Sequence, residues 1–296
     1  MGRVRLDGRT FVITGASRGV GAEYALLLGR LGANLVLNSA TPGAVEKVAA
    51  EVGERAIPVV GDVSDPAITA GLVATAIDRF GTLDGLVANA GFNEGQRTVT
   101  EINDAQMRRM LDVHLFGSWR LVREAWPHML DRGHGRIVLT TSQAALFGIR
   151  GGADYAAAKG AVLGLTRALA NDAHGTDVKI NAVMPIAATD MSDSTLSAEA
   201  SASFREIAPA SFVAPLVALL VHPACPTNGE VFNAGAGLVD RIFIAAGRGV
   251  TFDLDEVSAE VIAERFEQVM EEAGYIVPTR MQDLNMILPR PRGGTR

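Results

Sequence analysis

Short runs of uninterrupted apolar residues alternate along the chain with longer stretches in which the apolar residues have helical spacing. The short runs are rich in β-branched residues and lack the alternation of a half-exposed strand, so they predict strands that are covered on both faces. The predicted strands are residues 10–14, 34–38, 56–60, 85–89, 136–141, 178–183 and 230–234. The predicted helices are residues 20–32, 43–53, 66–80, 104–131 and 153–174.

The repeated order of strand and helix predicts an α/β fold with a Rossmann-type, doubly wound parallel sheet of about seven strands. No linker or internal repeat divides the chain, which favours a single domain over residues 5–240 with a C-terminal extension over 241–296. The extension is expected to hold one amphipathic helix at 258–274 and a basic tail. Residues 186–212 are small and polar and predict a substrate lid, with an ordinary surface loop as the alternative.

The composition narrows the classes of function. The chain has 296 residues, of which 48% are hydrophobic and 20% charged, as in an ordinary globular protein. Its net charge of −6 argues against a nucleic-acid partner. The single cysteine, Cys225, excludes an internal disulfide framework, lacks partners for a metal site, and fits a cytoplasmic location. No membrane span is expected, because the longest apolar run, 213–221, is short and contains Pro215.

A glycine-rich turn, "TGASRGVG", follows the first predicted strand directly. Glycine lets the backbone approach a pyrophosphate, and the start of the next helix presents free N–H groups and the positive end of its dipole. In the first strand–helix–strand unit, this turn predicts a dinucleotide site. The residues assigned to it are Gly15, Ser17, Arg18, Gly19, Val20 and Gly21.

Further candidates follow the third and fourth strands, at the sheet edge where this architecture places ligands. Asp62 and Val63 come after the third strand, and the Asp62 carboxylate either accepts from an adenine amine or caps the following helix. Asn89, Ala90 and Gly91 come after the fourth strand, where small residues let a cofactor lie close to the sheet.

A serine, a tyrosine and a lysine stand near the fifth strand. Ser142 follows that strand, and Tyr155 and Lys159 lie four residues apart in "YAAAK", which places both on one face of a helix. The Y-x-x-x-K pair alone is common in helices and carries little weight. Its position after the glycine turn and the strand-end serine makes it a candidate for proton transfer.

These motifs resemble, in order and spacing, those of the short-chain dehydrogenase/reductase family: T-G-x-x-x-G-x-G, N-A-G, a strand-end serine and Y-x-x-x-K. The resemblance covers about residues 5–240. It implies that Tyr155 is the general acid or base, that Lys159 lowers the Tyr155 pKa and binds the nicotinamide ribose, and that Ser142 bonds to the substrate oxygen. It also implies a nicotinamide dinucleotide, which carries the hydride.

Two positions depart from the family pattern. His114, in "DVHLFG", stands where the family usually has asparagine; its imidazole would hold a water that links Lys159 to solvent, or it reflects a packing change. Pro185 and Thr189, in "MPIAAT", match a family loop that contacts the nicotinamide amide, but Ile186 replaces the glycine of that loop.

Within the family, the second half of the chain is similar to the dehydrogenase units of peroxisomal multifunctional enzymes of type 2. This similarity implies a small-molecule substrate, with a (3R)-hydroxyacyl or 3-oxoacyl thioester of coenzyme A favoured. The alternatives are a steroid- or polyketide-type ketone and a dinucleotide sensor without turnover. The apolar candidates for substrate contact are Phe92, Leu146, Phe147, Ile149, Met184 and Met191.

The end of the second strand bears on cofactor choice. That branch has Asn-Asp there, and this chain has Asn38 and Ser39. Without the carboxylate, the site loses an acceptor for the ribose hydroxyls, and it no longer repels a 2′-phosphate. Arg18 and Thr41 would then bind that phosphate. NADP(H) is therefore favoured over NAD(H), with binding of both as the alternative.

The two longest predicted helices, 104–131 and 153–174, carry apolar residues on more than one face. The family pairs these helices across a two-fold axis. We therefore expect a homodimer or a homotetramer.

Overall fold

The computed structural model describes residues 4–188 and 198–286. In this part of the chain one sheet has eight strands in the order β3-β2-β1-β4-β5-β6-β7-β8. The strands are β1 (Thr10–Thr14), β2 (Asn34–Ser39), β3 (Ala56–Val60), β4 (Gly85–Ala88), β5 (Gly135–Thr140), β6 (Val178–Ile186), β7 (Val231–Gly235) and β8 (Leu238–Ile242). The helices are α1 (Gly19–Arg30), α2 (Ala44–Val52), α3 (Pro66–Phe80), α4 (Asp104–Leu111), α5 (Gly117–Arg132), α6 (Ala144–Phe147), α7 (Ala153–Asp172), α8 (Ala198–Ile207), α9 (Ala214–Leu220), α10 (Ala259–Glu264) and α11 (Phe266–Val269).

The predicted doubly wound sheet is confirmed. β1 pairs in parallel with both β2 and β4, so the strand order reverses at β1 and leaves a crevice at the carboxyl ends of these strands. Successive side chains of β1 enter opposite cores, because neighbouring residues of a strand face opposite sides of the sheet. Ile13 packs in the cluster that contains Leu28 of α1, and Val12 packs in the cluster that contains Leu72 of α3.

The sheet has one strand more than the seven predicted. β8 follows β7 after Ala236 and Gly237, whose φ angles of 49° and 78° lie in the left-handed region that a tight hairpin needs. A connection of two residues permits only an antiparallel neighbour. Leu238 and Val239 are exposed, and Asp240 and Arg241 follow them, so β8 lacks the continuous apolar run by which the other strands were predicted.

The long helix predicted over 104–131 consists of three segments. A capping box between Asn103 and Gln106 starts α4, and a π-helical turn, Asp112–Phe116, separates α4 from α5. His114 lies in this turn, and its carbonyl accepts a hydrogen bond from Ser118 Oγ at 2.8 Å. A π turn inside an α-helix often marks a functional site.

The predicted lid, 186–212, is partly helical. It contains α8 and a 3₁₀ turn, Ala210–Phe212, and Ala188 N–H donates to the Ala208 carbonyl at 2.8 Å. Within the described residues, one helical stretch, Glu199–Leu220, meets the length and composition of a membrane-crossing helix. The 3₁₀ turn interrupts it, and Val217 packs in the core cluster of α1, as in a core helix of a globular domain.

The contacts group the chain into two compact units, Met1–Arg241 and Ile242–Arg296. In the second unit, the single helix predicted over 258–274 is wrong: α10 and α11 are short and are separated at Arg265, whose φ is −111°. The Arg265 side chain donates to the Thr251 carbonyl at 3.3 Å and to Gln268. The bond to Thr251, which is 14 residues away, coincides with the break between the two helices, and spacing alone does not reveal it.

Candidate active site

The glycine turn between β1 and α1 leaves no room for a side chain at Gly15 or Gly21. Gly15 and Gly19 have φ angles of 66° and 54°, which favour glycine. A Cβ atom on Gly15 would lie 2.8 Å from Ala90 Cα, and one on Gly21 would lie 2.1 Å from the Gly15 carbonyl oxygen. Within the described residues, no side chain caps the start of α1 at Arg18, and its first turn carries no acidic residue. Free N–H donors and the helix dipole therefore meet at this turn, which fits a pyrophosphate.

Asn89 and Thr14 hold the glycine turn against β4. The N–H groups of Asn89 and Ala90 both donate to Thr14 Oγ1, at 3.0 and 3.1 Å. Asn89 Nδ2 donates to the carbonyls of Thr14 and Gly15, each at 3.2 Å. These bonds use the Asn89 side chain to place the turn. The Thr14 hydroxyl was not among the predicted site residues, although the threonine that opens the motif was a signal for it.

Ser39, at the end of β2, meets the glycine turn. Its hydroxyl donates to Ser17 Oγ at 2.9 Å and accepts from Thr41 N–H at 3.2 Å. Ser39 is buried, whereas Arg18, next to Ser17 in the chain, is exposed. Ser17 of the predicted glycine turn and Ser39 of the predicted ribose side are therefore in contact.

Asp62, after β3, is fixed by two partners. Its carboxylate forms an ion pair with Arg109 of α4 and accepts the Ser64 N–H at 2.9 Å. Burial opposes ionisation, but Arg109 and Ser64 outweigh it and hold the pKa of Asp62 below its ordinary value. The helix-cap alternative for Asp62 is wrong, because Asp65 is the residue that caps α3. Val63 is buried against Gly117, where a Cβ atom would lie 2.8 Å from Val63 Cγ2.

Ser142, Tyr155 and Lys159 come together beyond the end of β5. Tyr155 and Lys159 lie in the first turns of α7, and Ser142 hydrogen-bonds with the Tyr155 phenol. Lys159 Nζ lies 5.8 Å from the centroid of the Tyr155 ring and donates to the Thr140 carbonyl at 2.8 Å. Thr141 Oγ1 donates to the Lys159 carbonyl at 2.8 Å, which fixes α7 against the sheet.

Burial controls the protonation of this group. It lowers the pKa of Lys159 to about 7, because the ammonium loses its water. It also raises the pKa of Tyr155, although the hydrogen bond with Ser142 opposes the rise. The lowered Tyr155 pKa that the resemblance implied is thus not present in the protein alone.

His114 lies beside Tyr155 and is only 1% exposed. The two rings are edge-on with their centroids 5.6 Å apart. His114 Nε2 lies 2.9 Å from the Phe92 carbonyl oxygen and 3.2 Å from the Phe92 nitrogen. Burial, followed by the nearby Lys159 charge, lowers the pKa of His114 well below its ordinary value, so the imidazole is neutral. Within the described part of the chain, buried His114 Nδ1 has no hydrogen-bond partner.

The predicted nicotinamide loop starts inside a strand. Pro185 and Ile186 belong to β6 and pair with Ala234 and Gly235 of β7. Gly235 accommodates this approach, because a Cβ atom there would lie 1.8 Å from the Ile186 carbonyl oxygen. Thr189 lies outside the described residues.

The apolar substrate candidates fall into three groups. Phe147 is 73% exposed, Ile149 is exposed, and Phe92 and Leu146 are partly buried, so these four can offer surface to a ligand. Met184 is fully buried and offers none, which corrects its assignment. Met191 lies outside the described residues. Among the residues described, no group of three His, Cys, Asp or Glu side chains is placed to hold a metal ion.

Comparison with known proteins identifies a family for this arrangement. The model of the family described as short chain dehydrogenase matches residues 9–200. A protein of Mycobacterium tuberculosis, named as a short-chain type dehydrogenase/reductase, is 34% identical over 91% of this chain and 96% of its own.

The peroxisomal multifunctional enzyme type 2 of Drosophila melanogaster is 32% identical over 91% of this chain, which spans 46% of that enzyme. Its full-length structure superimposes with a TM-score of 0.80 at 28% identity, over 95% of this chain and 49% of that one. The 3-ketoacyl-(acyl-carrier-protein) reductase of Brucella melitensis, solved with NADH, superimposes with a TM-score of 0.73 at 26% identity, over 78% of this chain and 98% of that one.

Proposed function

The chain belongs to the short-chain dehydrogenase/reductase family of oxidoreductases that act on CH–OH groups, and we propose that it interconverts a 3-hydroxyacyl and a 3-oxoacyl thioester of coenzyme A with NAD(P). The observation that carries the proposal is the meeting of Ser142, Tyr155 and Lys159 beyond the end of β5, with Lys159 buried and the other two partly buried. The similar structure of a 3-ketoacyl-(acyl-carrier-protein) reductase supports an acyl thioester as the substrate class, as does the resemblance to multifunctional enzymes of type 2.

The residues of the crevice fit a nicotinamide dinucleotide. The packed glycines Gly15 and Gly21 and the uncapped start of α1 would hold its pyrophosphate. When bound, the dinucleotide supplies the hydride donor or acceptor for the reaction. Lys159 would bind the nicotinamide ribose, as the family resemblance implies.

Tyr155 moves the proton at the substrate oxygen. In oxidation the phenolate accepts the hydroxyl proton, and in reduction the phenol donates it, while Ser142 holds the same oxygen by a hydrogen bond. Reaching a phenol pKa near 7 from about 10 needs roughly 4 kcal/mol of differential stabilisation. Positive charge close to the phenol supplies it, and Lys159, with a pKa of about 7, gains and loses its proton in the working range.

His114 would pass protons between this group and solvent. In one tautomer Nε2 donates to the Phe92 carbonyl, 2.9 Å away, and Nδ1 is an acceptor; in the other, Nε2 accepts the Phe92 N–H at 3.2 Å and Nδ1 is a donor. A water bonded to Nδ1 would link Lys159 to solvent, which is the role predicted for this histidine. The π-helical turn that carries His114 brings the imidazole next to Tyr155.

NADP(H) is the cofactor we favour over NAD(H). The hydroxyls of Ser39 and Ser17 meet where a carboxylate would repel a 2′-phosphate. Arg18, exposed next to Ser17, supplies a positive charge on the same side. These contacts support the preference, and binding experiments with Ser39 variants test it.

A homodimer or homotetramer also belongs to the proposal. Phe116 and Trp119, at the junction of the π turn and α5, are 41% and 38% exposed, and Leu130 near the end of α5 is 42% exposed. Large apolar side chains on one helical run favour a second copy of this chain as their cover.

A substrate panel tests the function. Purified protein is supplied with NADP⁺ or NAD⁺ and with (3R)-hydroxyacyl-CoA, its (3S) isomer, a hydroxysteroid and a polyketide-type alcohol, and reduced nicotinamide is followed by absorbance. We expect the highest kcat/KM with the (3R)-hydroxyacyl-CoA thioester. A higher value with the steroid or polyketide would replace the substrate class, and no turnover with any of them would contradict the proposed activity.

A further inference from the structure

Arg109 of α4 contacts both ends of the crevice, and the chemistry described above assigns it no role. Its side chain is 45% exposed, so solvation alone would suffice for the charge. Instead, the guanidinium contacts three residues from two different loops. They are Asp62 and Ser64, after β3, and Phe92, after β4.

The first side of this contact lies at the adenine end of the crevice. Arg109 forms the ion pair with Asp62 and donates to Ser64 Oγ at 2.8 Å. Gly61, next to Asp62, donates its N–H to the Ser39 carbonyl at 3.0 Å, so this loop abuts the ribose-side residues. Because the Arg109 guanidinium is bonded to one oxygen of the Asp62 carboxylate, it limits how that carboxylate can rotate toward the amine of a bound adenine.

The second side leads to the reacting group. The Arg109 guanidinium lies 5.7 Å from the Phe92 ring centroid, within the range of a cation–π contact. The Phe92 ring lies 5.6 Å from the His114 ring, and the Phe92 backbone holds His114 Nε2. His114 in turn packs edge-on against Tyr155. A shift of Arg109 therefore has a continuous path of packed groups to the phenol.

We propose that Arg109 is a positioning residue that orients the Asp62 carboxylate for the adenine of the cofactor and, through Phe92 and His114, ties adenine binding to the placement of Tyr155. The inference rests on the proposed function for its kinetic part only. The binding part stands on the dinucleotide site, since it concerns an adenine ligand and needs no turnover.

The binding test uses ADP-ribose, which has the adenine end of the cofactor and lacks nicotinamide, titrated by calorimetry. Arg109→Met should weaken its binding about tenfold, the size of one charge-assisted hydrogen bond. Arg109→Lys, which keeps the charge, should recover most of the loss. The matched control is Arg108→Met, since Arg108 is on the same helix and contacts exposed Asp104; its affinity should equal that of the wild type.

A double substitution shows whether Arg109 acts through the carboxylate. Asp62→Asn alone should weaken the binding of ADP-ribose about as much as Arg109→Met does. The combined variant should bind ADP-ribose only slightly more weakly than either single variant. Additive losses would overturn the proposal, as would an Arg109→Met affinity within twofold of the wild type. If Arg109→Met does not fold, Asp62→Asn must still weaken ADP-ribose about tenfold, and an unchanged affinity then overturns the inference.

The kinetic test separates positioning from a general structural role. Phe92→Leu should lower kcat and leave the affinity for ADP-ribose unchanged, whereas Arg109→Met should both lower kcat and raise the cofactor KM. Equal kcat in wild type and Arg109→Met would remove the link to Tyr155. A protein that binds ADP-ribose as expected but turns over no thioester would contradict the proposed substrate and leave the Asp62 part of this inference supported.

Discussion

Replacing Lys159 by methionine is expected to stabilise the protein at neutral pH while it removes a group that the chemistry requires. Lys159 is 4% exposed, and its Nζ has the Thr140 carbonyl as a partner. Burial lowers its pKa from 10.5 to about 7, so folding costs free energy wherever the unfolded chain still holds the proton. Methionine has similar length and carries no charge to bury.

The pH dependence follows from the two pKa values. Between pH 7 and 10.5 the unfolded lysine is protonated while the folded one is largely neutral, so the unfolded state binds more protons. Stability therefore rises with pH across this window. Burying Lys159 costs about 4 kcal/mol of folding free energy near pH 7 and about 1 kcal/mol near pH 9.5. The free energy of unfolding therefore rises by about 3 kcal/mol between the two pH values. Losing the bond to Thr140 removes about 1 kcal/mol from the gain of the variant.

We therefore expect Lys159→Met to be about 3 kcal/mol more stable than the wild type near pH 7 and about equal to it near pH 9.5. Other groups titrate outside this window: burial lowers the His114 pKa, which affects stability below about pH 6.5, and raises the pKa of Tyr155 and Tyr24, which affects it above about pH 10. Urea unfolding of both proteins at the two pH values measures the difference, with the slope checked for two-state behaviour.

Parallel stability curves for the wild type and Lys159→Met would refute this reasoning. They would mean that the folded protein keeps Lys159 protonated across the window, and that its environment solvates the ammonium as well as water does. The proton exchange proposed for Lys159 in the working range would then lose its basis. Turnover by Lys159→Met at the wild-type rate would independently show that the amine is not needed.

Two further predictions concern the cofactor and the assembly. NADPH should bind about tenfold tighter than NADH, and Ser39→Asp should reverse the order, since the carboxylate accepts from ribose hydroxyls and repels the 2′-phosphate; fluorescence titration of both cofactors decides, and equal wild-type affinities would contradict the role of Arg18. Light scattering at micromolar concentration should give the mass of a dimer or tetramer, with Trp119→Glu shifting it toward the monomer; a monomeric wild type would exclude the proposed oligomer.

The fold was largely predictable because buried parallel strands have a strong local signature. The seven predicted strands all occur, with β1 and β3 at the predicted boundaries. β8 escaped prediction because Asp240 and Arg241 interrupt its apolar residues and because it lies exposed at the sheet edge. The helix predicted at 258–274 has good apolar spacing, but the chain leaves helical geometry at Arg265, whose side chain donates to the Thr251 carbonyl.

The site was predictable where motif residues are neighbours in sequence or follow strand ends. Ser142, Tyr155 and Lys159 meet as the spacing suggests. The partner of Asp62 was not predictable, because Arg109 lies 47 residues away and only the packing of α4 against the β3 loop brings it there. The π turn around His114 was not predicted either, because the apolar spacing of 104–131 is that of one continuous helix.

The central claim is tested most directly by comparing the wild type with Tyr155→Phe in the oxidation of a (3R)-hydroxyacyl-CoA, followed by the absorbance of reduced nicotinamide. The substitution removes only the phenolic oxygen and its proton, so cofactor affinity should stay within about twofold while kcat falls by about 10²–10⁴-fold, the range of general acid–base catalysis. A Tyr155→Phe variant that keeps kcat within about tenfold of the wild type would show that another group moves the proton, and the assignment of this site would be wrong.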